Sequence, residues 1–427
     1  MRALAPTDPG SRWESRLIRS AHPVVARVVD AAVSRRGVVR VPGVGVLVAD
    51  PRSARAVLTD TETFAKNGPG SSGALWTSVL GDRVLLNMEG DDHRRLRHSL
   101  ADLFSPRVVR EVCDSAARPI VAETGARLRQ GEEVDVVRLA REVSAAVIGA
   151  VVGLDPETPP AVLLEASDAI ESMVTWRTRS FDAGATHRAR AALTVVQDAA
   201  ESAHAAASSD TVMGRLAQQG APIDDARSLA AALFLTGTGT VSSAVPRIVG
   251  QLADAGLLEP RAAQVCRLDD VVAEGLRMTT PSLATLRRVV RPTEIDGVRL
   301  RADERVVVLL WWATRRDGGF DPGRPAAGDL RHLWFGAGPH FCFGAPLALA
   351  ELRAMTGMLL EVAADQGLVV TGRRAARRVL VPRYAELTVR SPDTHRAKAK
   401  AKVTASAGAG AAARASASGA GSAGRTA

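Results

Sequence analysis

One thiol in this chain sits where a thiolate would be useful. Cys342 lies in residues 334–351, WFGAGPHFCFGAPLALAE, with Gly336, Gly338 and Pro339 before it and Gly344 after it. The glycines keep side-chain bulk off the backbone, so a flat ligand can approach closely, and the chain then turns helical through APLALAELRAMTGMLLEVAA. Amide donors and the positive end of that helix dipole favour thiolate over thiol, which suits a metal ligand. An isolated cysteine before a helix is more often inert, but a glycine pattern this dense argues against that reading. Three other groupings have spacing that could matter. His93 and Arg97 stand at i and i+4 and share one helix face, offering two cationic donors together. Thr236, Gly237, Thr238, Gly239 and Thr240 interrupt an otherwise apolar helical run, SLAAALFLTGTGTVSSAV. Each glycine costs a helix about 1 kcal/mol against alanine, so something needs the space. Glu274 and Arg277 form an i, i+3 pair, a spacing that is usually superficial.

The elements that must position these groups follow from periodicity. Residues 37–50, GVVRVPGVGVLVAD, alternate valine about a Pro-Gly turn and predict a β-hairpin. Residues 1–36 read as an irregular lead-in and one helix, and ARAVLTD as a short helix. Residues 67–90 are glycine-rich and read as irregular, with Leu75, Trp76, Val79 and Leu80 beside Gly68, Gly70 and Gly73. Long Ala/Val/Leu-rich helices fill 107–220, broken at 153–160 and 220–222; the helix opening near residues 223–225 is apolar almost all round and should be buried. TLRRVV is extended, a turn falls at Asp296-Gly297, and GLVVTGRRAARRVLVPRYAELTVR closes as a β-hairpin.

Composition bounds the class. The 427 residues are 46% hydrophobic and 24% charged, ordinary for a globular chain with a sizeable core. Cys113, Cys266 and Cys342 are too few for a disulfide framework, and no signal peptide or apolar anchor is read near the start, so a cytoplasmic, unanchored protein is expected. The net charge of +9 owes much to residues 391–427, an Ala/Gly/Ser-rich basic tail expected to be disordered. Aromatic residues are only 4% and no basic run interleaves with them, which argues against a nucleic-acid partner.

The loop residues Phe335, Gly336, Gly338, His340, Cys342 and Gly344, with Leu347, Ala348 and Glu351 after them, closely resemble the haem-binding loop of cytochrome P-450. The resemblance implies that Cys342 is the proximal ligand of a haem b iron, a thiolate that favours O–O cleavage. It implies that His93 and Arg97 bind the haem propionates, joined by Arg287, with Arg288 competing, and by His332 and His340. Glu274 and Arg277 match a buried structural pair. Thr240 matches the threonine that hydrogen-bonds bound dioxygen and organises its protonation, with Thr238 beside it. The carboxylate usual just before that threonine is missing; Gly239 stands there, so protons must come through Thr240, Thr238, water or a substrate hydroxyl. The family's usual proline after Arg-Asp is replaced by Gly318, and the following loop is short. Leu75, Trp76, Val79, Leu80, Trp176, Phe234 and Ala284 are expected to line a substrate pocket, and Arg94, Arg95, Arg107, Arg110 and Arg353 to offer a basic surface to an acidic ferredoxin.

The expected fold is mainly α with small peripheral β-sheets, a single cytochrome P-450 domain over 37–390 with haem between the central long helix and the helix of the cysteine loop. The expected activity is a haem-thiolate monooxygenase that takes electrons from a ferredoxin and ferredoxin reductase, splits dioxygen, and hydroxylates or epoxidises an apolar small molecule, such as a natural-product intermediate. The missing acid leaves open oxidative coupling, rearrangement or peroxide-driven turnover. A non-catalytic helper of a partner enzyme is the reading from another class, and relatives of that kind lack the ligand cysteine.

Overall fold

The computed structural model describes residues 9–33, 36–174, 178, 181–315, 318–324 and 328–392; Trp176 and residues 393–427 of the basic tail lie outside them. Helices dominate, and they are arranged around Ile223–Asp254, hereafter the central helix. Its sequence carries little polarity, so Leu229, Phe234, Val245, Ile248 and Leu252 are all buried, and most of its hydroxyls bond back inside the helix, Ser243 reaching instead to the Pro382 carbonyl at 2.7 Å. Thr236 donates to the Ala232 carbonyl at 2.7 Å, Thr238 to Phe234 at 2.9 Å, and Ser242 to Thr238 at 2.7 Å. Among the described residues this is the one helix long and apolar enough to cross a membrane, yet 72% of its most apolar window is buried inside the protein. It is a core helix. Gly237 explains part of its glycine content: a Cβ there would come within 3.1 Å of Ile148, on the helix Val136–Val152 that packs alongside.

The sheets sit at the edge. The hairpin predicted over 37–50 forms as Val38–Val41 paired with Gly45–Val48. It extends through a parallel pairing to Arg305–Val308, then antiparallel to Thr285–Val289 and to the short strand Phe64–Ala65, giving five strands. Val134–Asp135, Tyr384–Arg390 and Val369–Ala375 make a three-stranded sheet, and Thr293–Ile295 turns back on Val298–Leu300 across Asp296-Gly297. Thr285–Val289 matters most for function. Its pairing with Arg305–Val308 sets its register and so decides which of Arg287 and Arg288 faces inward.

Two regions differ from the sequence reading. The lead-in carries two helices, Pro9–Ala21 and Pro23–Val33, rather than one. Residues 67–90 are not wholly irregular: Ser71 accepts a hydrogen bond from the Ala74 amide at 3.3 Å and caps a helix, Ser72–Leu80. A serine cap and the apolar run ALWTSVL outweigh the flanking glycines.

The first helix is tied to the central one by charge. Arg247 is fully buried and its Nε contacts both carboxylate oxygens of Glu14 at 3.2 Å, while its Nη1 reaches Ser243 Oγ at 3.2 Å and the Pro382 carbonyl at 3.3 Å. Removing Glu14 would leave Arg247 charged and uncompensated. Glu14→Ala is therefore expected to lower the free energy of unfolding by about 3–5 kcal/mol in denaturant titration; a loss under about 1 kcal/mol would show that the pair is dispensable.

Candidate active site

A cavity of about 920 Å³ opens between the central helix and the loop that carries Cys342. Both walls matter. Gly237, Gly239 and Thr240 line one side, and Phe335, Gly336, His340, Cys342, Gly344 and Ala348 the other, so the sulfur faces space rather than packed side chains. The loop is held open by its backbone. The Cys342 amide donates to the Phe335 carbonyl at 2.8 Å, and Gly338 adopts φ +68° where a Cβ would stand 2.8 Å from the Leu58 carbonyl oxygen. Only glycine fits there. Burial pushes the Cys342 thiol above its ordinary range, while the amides of Gly344 and Ala345 and the charges of Arg97 and Lys66 pull it down. Sulfur lies where an adjacent cation would favour its thiolate. Behind it, Glu351 is buried so completely that its carboxyl is pushed well above the usual range, against the pull of a hydrogen bond with Ser144.

The rim beside the sulfur gathers basic side chains, His93 and Arg287 buried and Lys66, Arg97 and His340 partly buried. His93 is 3% exposed, its ring 4.5 Å from that of His340, with Arg97, Arg287 and Lys66 also lining the cavity. Arg97 lies over the Phe343 ring, 5.0 Å from its centroid. Burial pushes Lys66 down to about 7, His93 to about 4, His340 to about 2 and Arg287 to about 10, and the neighbouring positive charges lower the first three further. Glu89 raises Lys66 and Arg287, and the Cys342 sulfur raises Lys66 and Arg97. Among the described residues, Arg287 Nε and His340 Nδ1 are buried without a partner. Arg97 and Arg287 with Lys66 beside them, and imidazole donors left over, fit a ligand that brings its own carboxylates, and haem propionates answer that description.

The pair at Glu274 and Arg277 forms as a two-pronged contact, both N–O distances 2.7 Å, on buried side chains. Arg277 also donates to the Thr314 carbonyl at 2.8 Å and the Gly319 carbonyl at 2.9 Å, and Glu274 accepts from the Asp321 amide at 2.8 Å. It fastens the helix Leu268–Thr279 to the chain leading toward the cysteine loop. Neither residue lines the cavity.

Several expected residues fall elsewhere. Thr238 is buried and points away from the cavity, because two residues along a helix is a rotation of about 200°. Thr236, four before Thr240, is the residue that shares its face and lines the cavity. Thr240 itself donates to the Thr236 carbonyl at 3.1 Å. Arg288 points outward to Asp303 at 2.7 Å, leaving Arg287 as the inward arginine. His332 is exposed and outside the cavity, its backbone left-handed at φ +59°, so a propionate contact from it is not supported. Leu75, Trp76 and Ala284 line the cavity, whereas Val79, Leu80 and Phe234 are buried in the core and do not. Trp176 lies outside the described residues. The expected basic surface is largely neutralised locally: Arg94, Arg95, Arg107 and Arg353 pair with Asp91, Asp92, Glu111 and Asp269. Lys66, Thr236 and Glu171 line the cavity without having been singled out as site residues. Helical spacing from Thr240 would have found Thr236; Lys66 and Glu171 depend on tertiary pairing alone.

Comparison with known proteins agrees with this geometry. The family profile described as Cytochrome P450 matches residues 261–362, which contain the Glu274/Arg277 pair and the cysteine loop. The chain is similar to the cytochrome P-450 monooxygenase DoxA of Streptomyces sp. (strain C5), 30% identical over 351 residues, 73% of this chain and 80% of that protein. It is also similar to the C-19 steroid 1alpha-hydroxylase of Sorangium cellulosum (strain So ce56), 29% identical over 65% of this chain and 73% of that protein. Among solved structures, a mutant of P450 EryK in complex with erythromycin B matches with TM-score 0.70 at 24% identity, covering 86% of this chain and 96% of that one.

The two arginines of Thr285–Val289 separate by their facing. Arg287→Met should speed haem loss to apomyoglobin by about tenfold to a hundredfold, the loss of one or two charge-assisted bonds, and Arg288→Met should leave it unchanged. Equal effects would remove Arg287 from the cofactor's holders.

Proposed function

The chain belongs to the cytochrome P450 family of bacterial-type monooxygenases, and on that premise we propose that it inserts one oxygen atom of dioxygen into an apolar small molecule by hydroxylation or epoxidation. A natural-product intermediate is the substrate class we favour, because DoxA and PikC, both named as P450 monooxygenases of Streptomyces, are among its relatives and because the cavity is large and mostly apolar. We take the redox partner to be a ferredoxin with its reductase, and the enzyme to work unanchored in the cytoplasm as one haem-binding unit over 37–390. The observation that carries the reading is the cavity itself: one space has the Cys342 loop on one side, Thr240 on the other and the basic cluster beside the sulfur.

The family implies a haem-iron cofactor, and the residues present fit haem b. When bound, the haem supplies electron transfer and dioxygen activation. Cys342 Sγ would hold the iron, its charge met by the Gly344 and Ala345 amides and by Arg97. Arg287, Arg97, His93 and His340 would hold the propionates, and Lys66 adds a further positive charge at the same rim. Leu75, Trp76 and Ala284 would orient an apolar substrate and keep water from it. Thr240, whose hydroxyl is anchored to the Thr236 carbonyl, would steer protons within the groove. The presence of Cys342 and Thr240 in one cavity favours this over a non-catalytic helper role.

Two measurements test this. Cys342→Ser should lack the carbon-monoxide difference band of thiolate-ligated haem; a retained band would remove Cys342 as ligand. Thr240→Ala should divert reducing equivalents into hydrogen peroxide, and unchanged coupling would mean that the protons travel by another path.

A further inference from the structure

Glu171 occupies the space that the central helix leaves at Gly239. It lies in the last turn of the helix Pro160–Met173, is 5% exposed, and lines the same cavity as Gly239 and Thr240. A Cβ built on Gly239 would fall on Glu171 Oε1, well inside contact distance. The missing side chain and the inserted carboxylate are therefore complementary. Glu171 Oε2 accepts from Arg383 Nη1, while Oε1 has no donor among the described residues and rests over Gly239. Beyond Arg383 the charges continue outward: its Nη2 donates to Asp168 at 3.1 Å, and Arg141 grips Asp168 with both prongs at 3.0 and 2.8 Å. Side-chain exposure rises along the row, from 6% at Glu171 to 13% at Arg383 and 43% at Asp168. A polar file thus leads from solvent to the floor of an apolar cavity.

Stability alone does not account for this arrangement. A buried ion pair is seldom better than a well-packed apolar pair, and a purely structural carboxylate would direct both oxygens at Arg383. We propose that Glu171, oriented by Arg383, supplies from a neighbouring helix the carboxylate that the central helix lacks before Thr240, and that it passes protons drawn from solvent on the Asp168 side to the Thr240 side of the cavity. This rests on the monooxygenase reading. That reaction consumes one dioxygen, two electrons and two protons, placing one oxygen in the substrate and releasing the other as water. The electrons come from the redox partner and the protons from solvent. Glu171 Oε1 takes up each proton from water along the file, releases it to water or hydroxyl beside Thr240, and returns to the carboxylate unconsumed.

Two experiments test the placement and the role separately. The first reads melting temperature in haem-loaded protein. Gly239→Ala should lower it by several degrees because the new methyl meets Glu171; in a Glu171→Ala background the same change should raise it, alanine being the better helix former. An equal effect of Gly239→Ala in both backgrounds would overturn the placement. The second follows NADPH oxidation driven by a plant-type ferredoxin and its reductase, in H₂O and D₂O, counting hydrogen peroxide released per dioxygen consumed. Glu171→Gln should raise the peroxide share severalfold and enlarge the solvent isotope effect, with Glu171→Asp recovering most of the wild-type behaviour. A Glu171→Gln protein with wild-type peroxide share and isotope effect would overturn the role. Failure of the monooxygenase reading shows separately, as a wild-type protein without the thiolate carbon-monoxide band, and leaves the melting comparison readable.

Discussion

A sulfur enclosed by protein has to be kept accessible on one face and electrostatically supported on the others, and most of the fold is arranged to meet both demands. Burial alone disfavours a thiolate at Cys342. The Gly344 and Ala345 amides and the charges of Arg97 and Lys66 oppose that cost without closing the cavity. Because Gly338 must approach the Leu58 carbonyl, the loop cannot relax into the opening. The Glu274/Arg277 pair, with its ties to Thr314, Gly319 and Asp321, fixes the chain that leads into that loop.

The rim shows the same constraint with the opposite sign. Lys66, Arg97, Arg287, His93 and His340 are brought together in a space where burial disfavours charge on each of them, and neighbouring positive charges add to that at Lys66, His93 and His340. Such a cluster is unfavourable by itself and becomes favourable against carboxylates.

What could be read from the sequence was what is local. Cys342, with glycines at fixed offsets, and His93 with Arg97 one turn apart carry their geometry in their spacing. The same holds for Glu274 with Arg277. Thr238 misled because adjacency in sequence is near-opposition on a helix, whereas Thr236 was the same-face neighbour. Val79 and Leu80 belong to a helix whose existence depends on the Ser71 cap, and its core-facing side took them away from the cavity. Lys66 reaches the rim only because Phe64–Ala65 pairs with Thr285–Val289. Glu171 is far from Gly239 in the chain, and only the crossing of two helices brings them together. No spacing rule spans that distance.

The central claim is a bond between Cys342 Sγ and iron. X-ray absorption at the iron edge of the haem-loaded protein tests it most directly. One sulfur scatterer in the first coordination shell, beside the four porphyrin nitrogens, is the predicted result. A shell made only of nitrogen and oxygen in freshly purified, folded protein would contradict it, and with it the assignment of the cavity as a haem-thiolate site.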